Sequence, residues 1–233
     1  MEAVICVFAK PPVAGAVKTR LGLAPGAAAR LARAFVDDTL EAMGALPWAA
    51  VALASTEEVA AAVPVLLQGE GDLGARIERV LRAALALPAA VLPGTVPPGA
   101  VLPAAALPAD PLARGPAAIA IGADAPALPA RFLEAARAAL RDHDAVLGPA
   151  DDGGFYLLAL RRCPAGLLDG LPWSAADTCA RTLSRLRERG FRTALLEPWF
   201  DVDRPEDLLR LRALIRQGAL AAPRTRAVLE SLG

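Results

Sequence analysis

The sequence predicts an α/β protein with a mostly parallel sheet flanked by helices on both faces. Apolar runs of strand length alternate along the 233 residues with longer segments of helical period, the order typical of such sheets. The run at 117–121 carries no charged or polar side chain, as expected of a strand buried on both faces. The length suits one globular unit, so we predict a single domain over 1–233.

Seven strands are predicted, each from an apolar run of strand length. They lie at Ala3–Ala9, Ala49–Ala54, Val63–Leu67, Ala117–Ile121, Ala145–Leu147, Phe155–Leu160 and near Arg192–Leu196.

Seven helices are predicted in the remaining segments. Ser55 with Glu58 fits a capping box, and Pro205 suits a first helical position. Ser174 precedes a helix with Asp177 in its first turn. The helices lie at Gly26–Leu46, from Thr56, Leu73–Leu87, Pro129–Asp142, Ala175–Gly190, Pro205–Gln217 and before Gly233.

A Pro/Ala-rich insertion is predicted at about 88–116. Residues 83–109 contain no charged side chain, but six prolines between 88 and 108 exclude a membrane-spanning helix there. We expect polyproline-like stretches, in part disordered, between a helix that ends near Leu87 and a strand that begins near Ala117.

Composition limits the classes of partner. The 25 basic and 25 acidic residues balance, which argues against binding of nucleic acid or membranes through bulk charge, so any anion site is local. Cys6, Cys163 and Cys179 lack metal-ligand spacing, so we expect reduced thiols in a cytoplasmic protein. The apolar run after Glu2 is too short for a signal peptide.

The first candidate site follows the first predicted strand. The stretch KPPVAG leads to Lys18, Thr19 and Arg20. Gly15 permits a left-handed turn, and the cations can hold phosphate oxygens beside backbone N–H groups. The spacing matches neither a P-loop nor a dinucleotide fingerprint, and an ordinary solvated loop is the alternative.

Two further candidates are carboxylates at the ends of extended segments, where open α/β sheets bind their ligands. Asp124 directly follows a buried strand, where a divalent cation bridging to phosphates would compensate its charge. Asp201 and Asp203 alternate and point to one side, so they form a second anchor for a hard cation. The alternative for Asp124 is a turn or a helix cap.

The fourth candidate is the stretch Asp151–Asp152–Gly153–Gly154. Adjacent glycines let a ligand touch the backbone, and a carboxylate can accept a proton or hydroxyl hydrogen bonds. An ordinary hairpin turn is the alternative.

Two weaker candidates precede predicted helices. Gly71 and Asp72 come before one helix, where Asp72 more often caps than binds a ligand. Trp173 and Ser174 open another and can line a pocket, although a core tryptophan is the alternative.

Six stretches, taken in order, resemble the GT-A-type family called radical-SAM or selenodomain-associated transferases. They are FAKPPVAGAVKTRL, GEGDLGARI, IGADAP, GPADDGGFYLLAL, PWSAADT and DVDRPEDL. The resemblance covers Val4 to about Leu211 and extends, more distantly, to phospholactate guanylyltransferases and molybdopterin nucleotidyltransferases. It implies a GT-A (nucleotide-diphospho-sugar transferase) fold with a mixed, mostly parallel sheet.

The resemblance also implies roles for individual residues. Asp124 and Asp203 would bind Mg²⁺ or Mn²⁺, while Asp152, Lys18 and Arg20 would be catalytic. The acceptor or sugar would contact Asp152, Gly153, Gly154, Trp173 and Ser174. The nucleotide would contact Ala9, Lys10, Pro11, Gly15, Lys18, Arg20, Gly71, Asp72 and Asp124. Arg204 stands where the family often has Thr, which removes an expected helix cap.

Three functions remain open at this stage. The first is metal-dependent glycosyl transfer from a nucleotide-sugar to a small acceptor. The second is nucleotidyl transfer from a nucleoside triphosphate to an acceptor phosphate, as in guanylyltransferases. The third is nucleotide binding without turnover. The partners expected are a nucleotide-sugar or nucleoside triphosphate and a small acceptor, with no nucleic acid and no membrane.

Overall fold

One eight-stranded sheet organises the protein. The computed structural model describes residues 2–87, 99–103, 116–126 and 128–232. Within these residues the strands are β1 (Ala3–Ala9), β2 (Ala49–Ser55), β3 (Val65–Leu67), β4 (Val101–Pro103), β5 (Ala117–Gly122), β6 (Ala145–Pro149), β7 (Phe155–Leu160) and β8 (Thr193–Leu195).

The strand order is β4-β3-β2-β1-β5-β7-β6-β8. Strand β7 pairs antiparallel with both β5 and β6, while the other pairings in the described sheet are parallel. The carboxyl ends of β1, β5 and β6 and the amino end of β7 therefore meet at one edge. This is the edge at which open α/β sheets bind ligands.

Helices cover both faces of the sheet. They are α1 (Pro25–Gly44), α2 (Leu73–Ala86), α3 (Ala130–Ala139), α4 (Thr178–Glu188), α5 (Pro205–Arg216) and α6 (Pro223–Ser231), with a short 3-10 helix at Thr19–Leu21. The predicted α/β class, with a mostly parallel sheet and helices on both faces, is confirmed.

Alternation along β1 shows how the two faces are filled. Ile5 and Val7 pack in a cluster with α1 and α3, whereas Val4 and Cys6 pack in a cluster with α2 and α4. All four side chains are fully buried, which explains the continuous apolar run. Burial raises the pKa of the Cys6 thiol to about 12, as suits a structural thiol.

A third apolar cluster attaches the carboxyl-terminal helices to α1. Phe35 of α1 packs there with Leu211 of α5 and Leu229 of α6. Phe200 and Val202 belong to the same cluster, so burial of these two residues anchors the intervening Asp201 and the adjacent Asp203 near the start of α1.

Two local predictions are wrong, and one strand was not predicted. No helix starts at Thr56, because Ser55 ends β2 and its Oγ accepts from Glu57 N at 3.3 Å in a short turn. Helix α4 starts at Thr178 rather than Ala175, since Ser174 is left-handed with φ 62°. The predicted Pro/Ala-rich insertion contains strand β4 at 101–103, while its stretches 88–98 and 104–115 lie outside the described residues.

No helix in the described ranges combines the length and the apolar character needed to cross a membrane.

Candidate functional site

Two adjoining cavities open at the carboxyl edge of the sheet. The larger, here the basic cleft, has a volume of about 490 Å³ and is lined by Lys10, Lys18, Arg20, Arg76, Asp124 and Asp203, among others. The smaller, here the acidic cavity, has a volume of about 280 Å³ and is lined by Asp124, Asp152, Asp201, Gly154, Trp173 and Ser174, among others. Asp124 and Ser174 line both, so one ligand can reach from one cavity into the other.

Lys18 lies at the centre of the site between two carboxylates. Its Nζ donates to Asp203 Oδ1 at 3.0 Å and to Val202 O at 2.8 Å, and it forms an ion pair with Asp124. The side chain is only 6% exposed. Burial alone would lower the pKa of Lys18, but the charges of Asp124 and Asp203 outweigh it and raise the pKa above its ordinary value.

The backbone aims Lys18 at this position. Its φ of 51° places it in the left-handed region, which is strained for a residue with a side chain. The residue begins the 3-10 helix, and Leu21 N donates to its carbonyl at 3.1 Å.

The two acidic loops are held together by their backbones. Val202 N donates to Asp124 O at 2.8 Å, so the segment after β5 and the segment before α5 are directly bonded. Asp207 Oδ2 accepts from Asp203 N at 3.1 Å and from Arg204 N at 2.8 Å. Asp207 thereby supplies the capping carboxylate that residue 204 lacks, a role that the sequence did not reveal.

Asp124 and Asp203 suit a cation that is shared with a phosphate ligand. Both carboxylates already meet one positive group, the Lys18 ammonium. The described residues contain no cluster of three or more His, Cys, Asp or Glu side chains able to hold a metal by themselves. Mg²⁺ is usually bound by one or two carboxylates, with phosphate oxygens and waters as its other ligands, so this donor set fits that ion best when a nucleotide supplies phosphate oxygens.

Asp201 adds a further carboxyl group to the wall of the acidic cavity. Burial, followed by the charges of Asp124, Asp152 and Asp203, raises its pKa to about 7. The sequence placed Asp201 beside Asp203 but did not predict that it would face Asp152.

The turn between β6 and β7 forms the far wall of the acidic cavity. Asp152 Oδ1 accepts from Gly154 N at 2.8 Å, which orients the carboxylate. Gly153 has φ 91°, and a Cβ there would lie 1.9 Å from Ala176 O. Gly153 O also accepts from Cys179 N at 2.9 Å, so Gly153 permits close packing of this turn on the start of α4.

Trp173 lines the acidic cavity and is also part of the packing core. Its ring lies edge-on to Phe155 with centroids 6.1 Å apart. A Cβ at Gly74 of α2 would lie 2.7 Å from the indole, so the helix approaches Trp173 closely. Trp173 therefore lines a cavity and packs against the core at the same time, and its contact with a substrate stays a prediction.

The structure brings many of the predicted residues together, though not all. Ala9, Lys10, Lys18, Arg20, Asp124, Ser174 and Asp203 line the basic cleft, while Asp152, Gly154 and Trp173 line the acidic cavity. The others are not among the residues lining these two cavities: Pro11, Gly15, Gly71, Asp72 and Gly153.

Asp72 has a capping role. Its Oδ1 accepts from Ala75 N at 2.8 Å, which caps the first turn of α2. Pro11 lines a separate small pocket with Pro12 and Val59.

Arg76 is a site residue that sequence reasoning missed. It lies on α2 four residues after Asp72 and lines the basic cleft. Its Nε is buried and has no hydrogen-bond partner among the described residues. The only available signal was its place in the stretch GEGDLGARI, where the helical period brings Arg76 one turn below the cap.

Part of the chain is similar to a curated guanylyltransferase. The 3-phospho-D-glycerate guanylyltransferase of Phenylobacterium zucineum (strain HLK1) is 40% identical over 95 residues, which are 38% of this chain and 40% of that protein. The chain therefore matches well under half the length of this curated relative.

Two solved structures share the fold. The crystal structure of a protein described as a nucleotide-diphospho-sugar transferase from Desulfovibrio desulfuricans G20 superposes with a TM-score of 0.73 at 26% identity, over 99% of this chain and 95% of that one. The CMP:2-keto-3-deoxy-manno-octonic acid synthetase complexed with CTP superposes with a TM-score of 0.52 at 14% identity, over 94% of this chain and 100% of that one. The second likeness concerns the fold alone.

The guanylyltransferase and the nucleotide-diphospho-sugar transferase are transferases by name, in agreement with the prediction of a GT-A-like transferase. A family model described as "Uncharacterized protein conserved in bacteria (DUF2064)" matches residues 27–175, which is more than half of the chain. The chain is a member of this family.

Proposed function

We propose that this protein is a metal-assisted transferase that moves a glycosyl group from a nucleotide-sugar to a small acceptor. The observation that carries the proposal is the meeting of Lys18, Asp124 and Asp203 at the junction of the basic cleft and the acidic cavity. A phosphate chain and an acceptor held in these two cavities would meet at Asp124.

The basic cleft has the charge required for a diphosphate. Lys10, Lys18, Arg20 and Arg76 line it, and guanidinium and ammonium groups form strong charge-assisted hydrogen bonds with phosphate oxygens. Lys18 is held by acids in the free protein, so we expect it to turn toward phosphate when the nucleotide binds.

Asp124 and Asp203 would hold Mg²⁺ or Mn²⁺ against the diphosphate. Such an ion, when bound, neutralises the charge that develops on a leaving diphosphate. The contribution of Lys18 and Arg20 is to position the phosphates and to stabilise the same charge.

Asp152 is the proposed base on the acceptor side. The acceptor oxygen forms a bond to the anomeric carbon while the bond from that carbon to the diphosphate oxygen breaks. The acceptor proton passes to the Asp152 carboxylate, and the nucleoside diphosphate leaves. The hydrogen bond from Gly154 N to Asp152 Oδ1 fixes the orientation of the carboxylate, and its other oxygen stays available for the proton.

Nucleotidyl transfer is the second candidate. The stretch that is 40% identical to a guanylyltransferase supports it, as do the four cations of the basic cleft, which suit a triphosphate. In that reaction an acceptor oxygen attacks the α-phosphorus and pyrophosphate leaves.

One incubation separates the candidates. The full chain is mixed with Mn²⁺, a panel of nucleoside triphosphates and nucleotide-sugars, and a set of sugar, sugar-phosphate and phosphorylated-acid acceptors, and the leaving group is identified by chromatography. Nucleoside diphosphate released only with an acceptor supports glycosyl transfer, and pyrophosphate supports nucleotidyl transfer. Nucleotide binding without either product would refute both and leave a nucleotide-binding protein without turnover.

A further inference from the structure

The acidic cavity differs from the basic cleft in the sign of its ionisable groups. Asp124, Asp152 and Asp201 all line it, whereas its lining residues include no Lys, Arg or His. The basic cleft next to it has four cations in its wall. The two cavities therefore select ligand groups of different charge.

Two arginines of the flanking helices form ion pairs with aspartates that do not line the acidic cavity. Arg210 Nη1 of α5 donates to Asp151 Oδ2 at 2.7 Å, and Arg181 Nε of α4 donates to Asp177 Oδ2 at 2.6 Å. Neither arginine is among the residues that line the acidic cavity. Arg210 and Arg181 therefore do not neutralise Asp152 or Asp201.

The uncharged part of the cavity wall suits a small polar molecule with an apolar face. Trp173 and Phe155 supply aromatic surface, and Ser174 supplies a hydroxyl group. Ionised carboxylates only accept hydrogen bonds, so they favour ligands that carry hydroxyl or ammonium donors. A volume of about 280 Å³ lies just below the usual range of small-molecule sites, about 300–1,000 Å³.

From these observations we propose that the acceptor is a small molecule rich in hydroxyl or amine groups that carries no phosphate or carboxylate. The inference rests on the proposed function and specifies its acceptor. The reacting group is an acceptor hydroxyl that gives its proton to Asp152. An anionic acceptor would bring its charge against Asp152 and Asp201, for which the lining residues supply no cation, whereas Asp124 is already paired with Lys18.

A binding experiment with matched probes tests the proposal. Glucose, glucosamine, glucose 6-phosphate and glucuronate are titrated into the full chain and followed by ligand-observed NMR. Mg²⁺ and saturating pyrophosphate are present, so that the basic cleft is occupied and cannot capture the anionic probes. We expect glucose and glucosamine to bind at least about tenfold more tightly than the two anions.

A substitution at Ala175 assigns the preference to this cavity. Ala175 lines the cavity, and its recorded hydrogen bonds with Thr178 are made by its backbone, so a longer side chain leaves them in place. Ala175→Lys introduces a cation, and we expect glucose 6-phosphate to bind at least about tenfold more tightly than in the wild type. Ala175→Gln is the neutral control of similar length, and it should not produce this gain.

The outcomes separate this inference from the proposed function. Equal or tighter binding of the anionic probes by the wild type overturns the inference, and so does absence of binding by every probe. Nucleotide binding is measured on the same preparation by calorimetry without pyrophosphate. Loss of nucleotide binding with an intact preference for neutral probes would refute the proposed function alone.

Discussion

The basic cleft and the acidic cavity lie side by side and share Asp124, yet their other ionisable groups are of opposite charge. In the basic cleft Lys18 compensates Asp124 and Asp203 directly. In the acidic cavity Asp152 and Asp201 have no cation among the lining residues, and burial and neighbouring acids raise the pKa of Asp201 to about 7. The comparison teaches that one edge of a sheet can carry two adjoining cavities whose lining residues differ in charge.

The largest expected effect comes from removing the cation at the junction. Lys18→Met should lower the transfer rate by about 10²–10³-fold, because a group that stabilises the leaving phosphate is lost. In the absence of nucleotide the same variant should bind Mn²⁺ more tightly than the wild type, since no ammonium competes for Asp124 and Asp203. Electron paramagnetic resonance of free Mn²⁺ measures the second effect.

The matched control is Lys10→Met, which removes an exposed cation of the same cleft. It should weaken nucleotide binding without changing Mn²⁺ affinity in the absence of nucleotide. Unchanged Mn²⁺ affinity in Lys18→Met would contradict the view that Lys18 occupies the cation position.

The acceptor side is tested by Asp152→Asn. We expect kcat to fall by about 10²-fold or more because the proton acceptor is removed, while nucleotide affinity stays the same. The neighbouring Asp151→Asn is the control, since Asp151 pairs with Arg210 on the surface and should not affect turnover. Steady-state kinetics measures kcat and calorimetry measures nucleotide affinity for both variants. A loss of nucleotide affinity in Asp152→Asn would contradict the assignment of Asp152 to a separate acceptor site.

A smaller effect is expected at Arg76. Arg76→Met should raise the KM for the nucleotide about tenfold, the usual scale for one charged hydrogen bond, and leave kcat nearly unchanged. Arg82 of the same helix pairs with Glu78, so Arg82→Met serves as the control with unaltered KM. Equal KM values for the nucleotide in Arg76→Met and Arg82→Met would show that Arg76 does not contact the nucleotide.

The smallest effect concerns stability and pH. The folded-state pKa of Asp201, about 7, lies above the ordinary aspartate value of 3.8, so folding favours the protonated form. The stability from this group is fully present below about pH 4 and is lost as pH rises through 7. Between pH 5 and 8 the wild type should therefore lose up to about 2 kcal/mol of unfolding free energy more than Asp201→Asn. Urea unfolding of both proteins at the two pH values gives this difference, and parallel curves would show that Asp201 is ionised throughout.

The strands and most helices could be predicted from the local sequence pattern. The elements that were predicted wrongly or missed show where that pattern is insufficient. Strand β1 was predicted with its exact bounds because its residues are apolar on both faces. The expected helix at Thr56 fails because a serine followed three residues later by glutamate also occurs in short turns. Strand β4 was missed because three residues in a proline-rich segment carry little signal of their own, and pairing with β3 makes them a strand.

The residues of the candidate site also include some that the sequence predicted and some that it did not. The cations of the amino-terminal loop and the carboxylates of Asp124, Asp152 and Asp203 were chosen from sequence. Each of them follows the end of an apolar run, where ligands of α/β sheets bind. Asp72 was included among the predicted nucleotide ligands because a helix cap and a ligand look alike in sequence, and in the structure its carboxylate accepts from Ala75 N as a cap. Arg76 was missed because nothing in a helical pattern distinguishes an arginine that faces solvent from one that faces a cleft.

By itself the sequence determined the alternation of strands and helices and the polar residues that end the strands, because these depend on neighbours within a few positions. Only the tertiary structure decided that Lys18 would lie between Asp124 and Asp203, and that Asp201 would face Asp152. Lys18 and Asp203 are 185 positions apart, and their contact depends on strand order, on the bond from Val202 N to Asp124 O, and on burial of Phe200 and Val202. The charge of each cavity is a sum over such distant residues, so it appears only when the chain is folded.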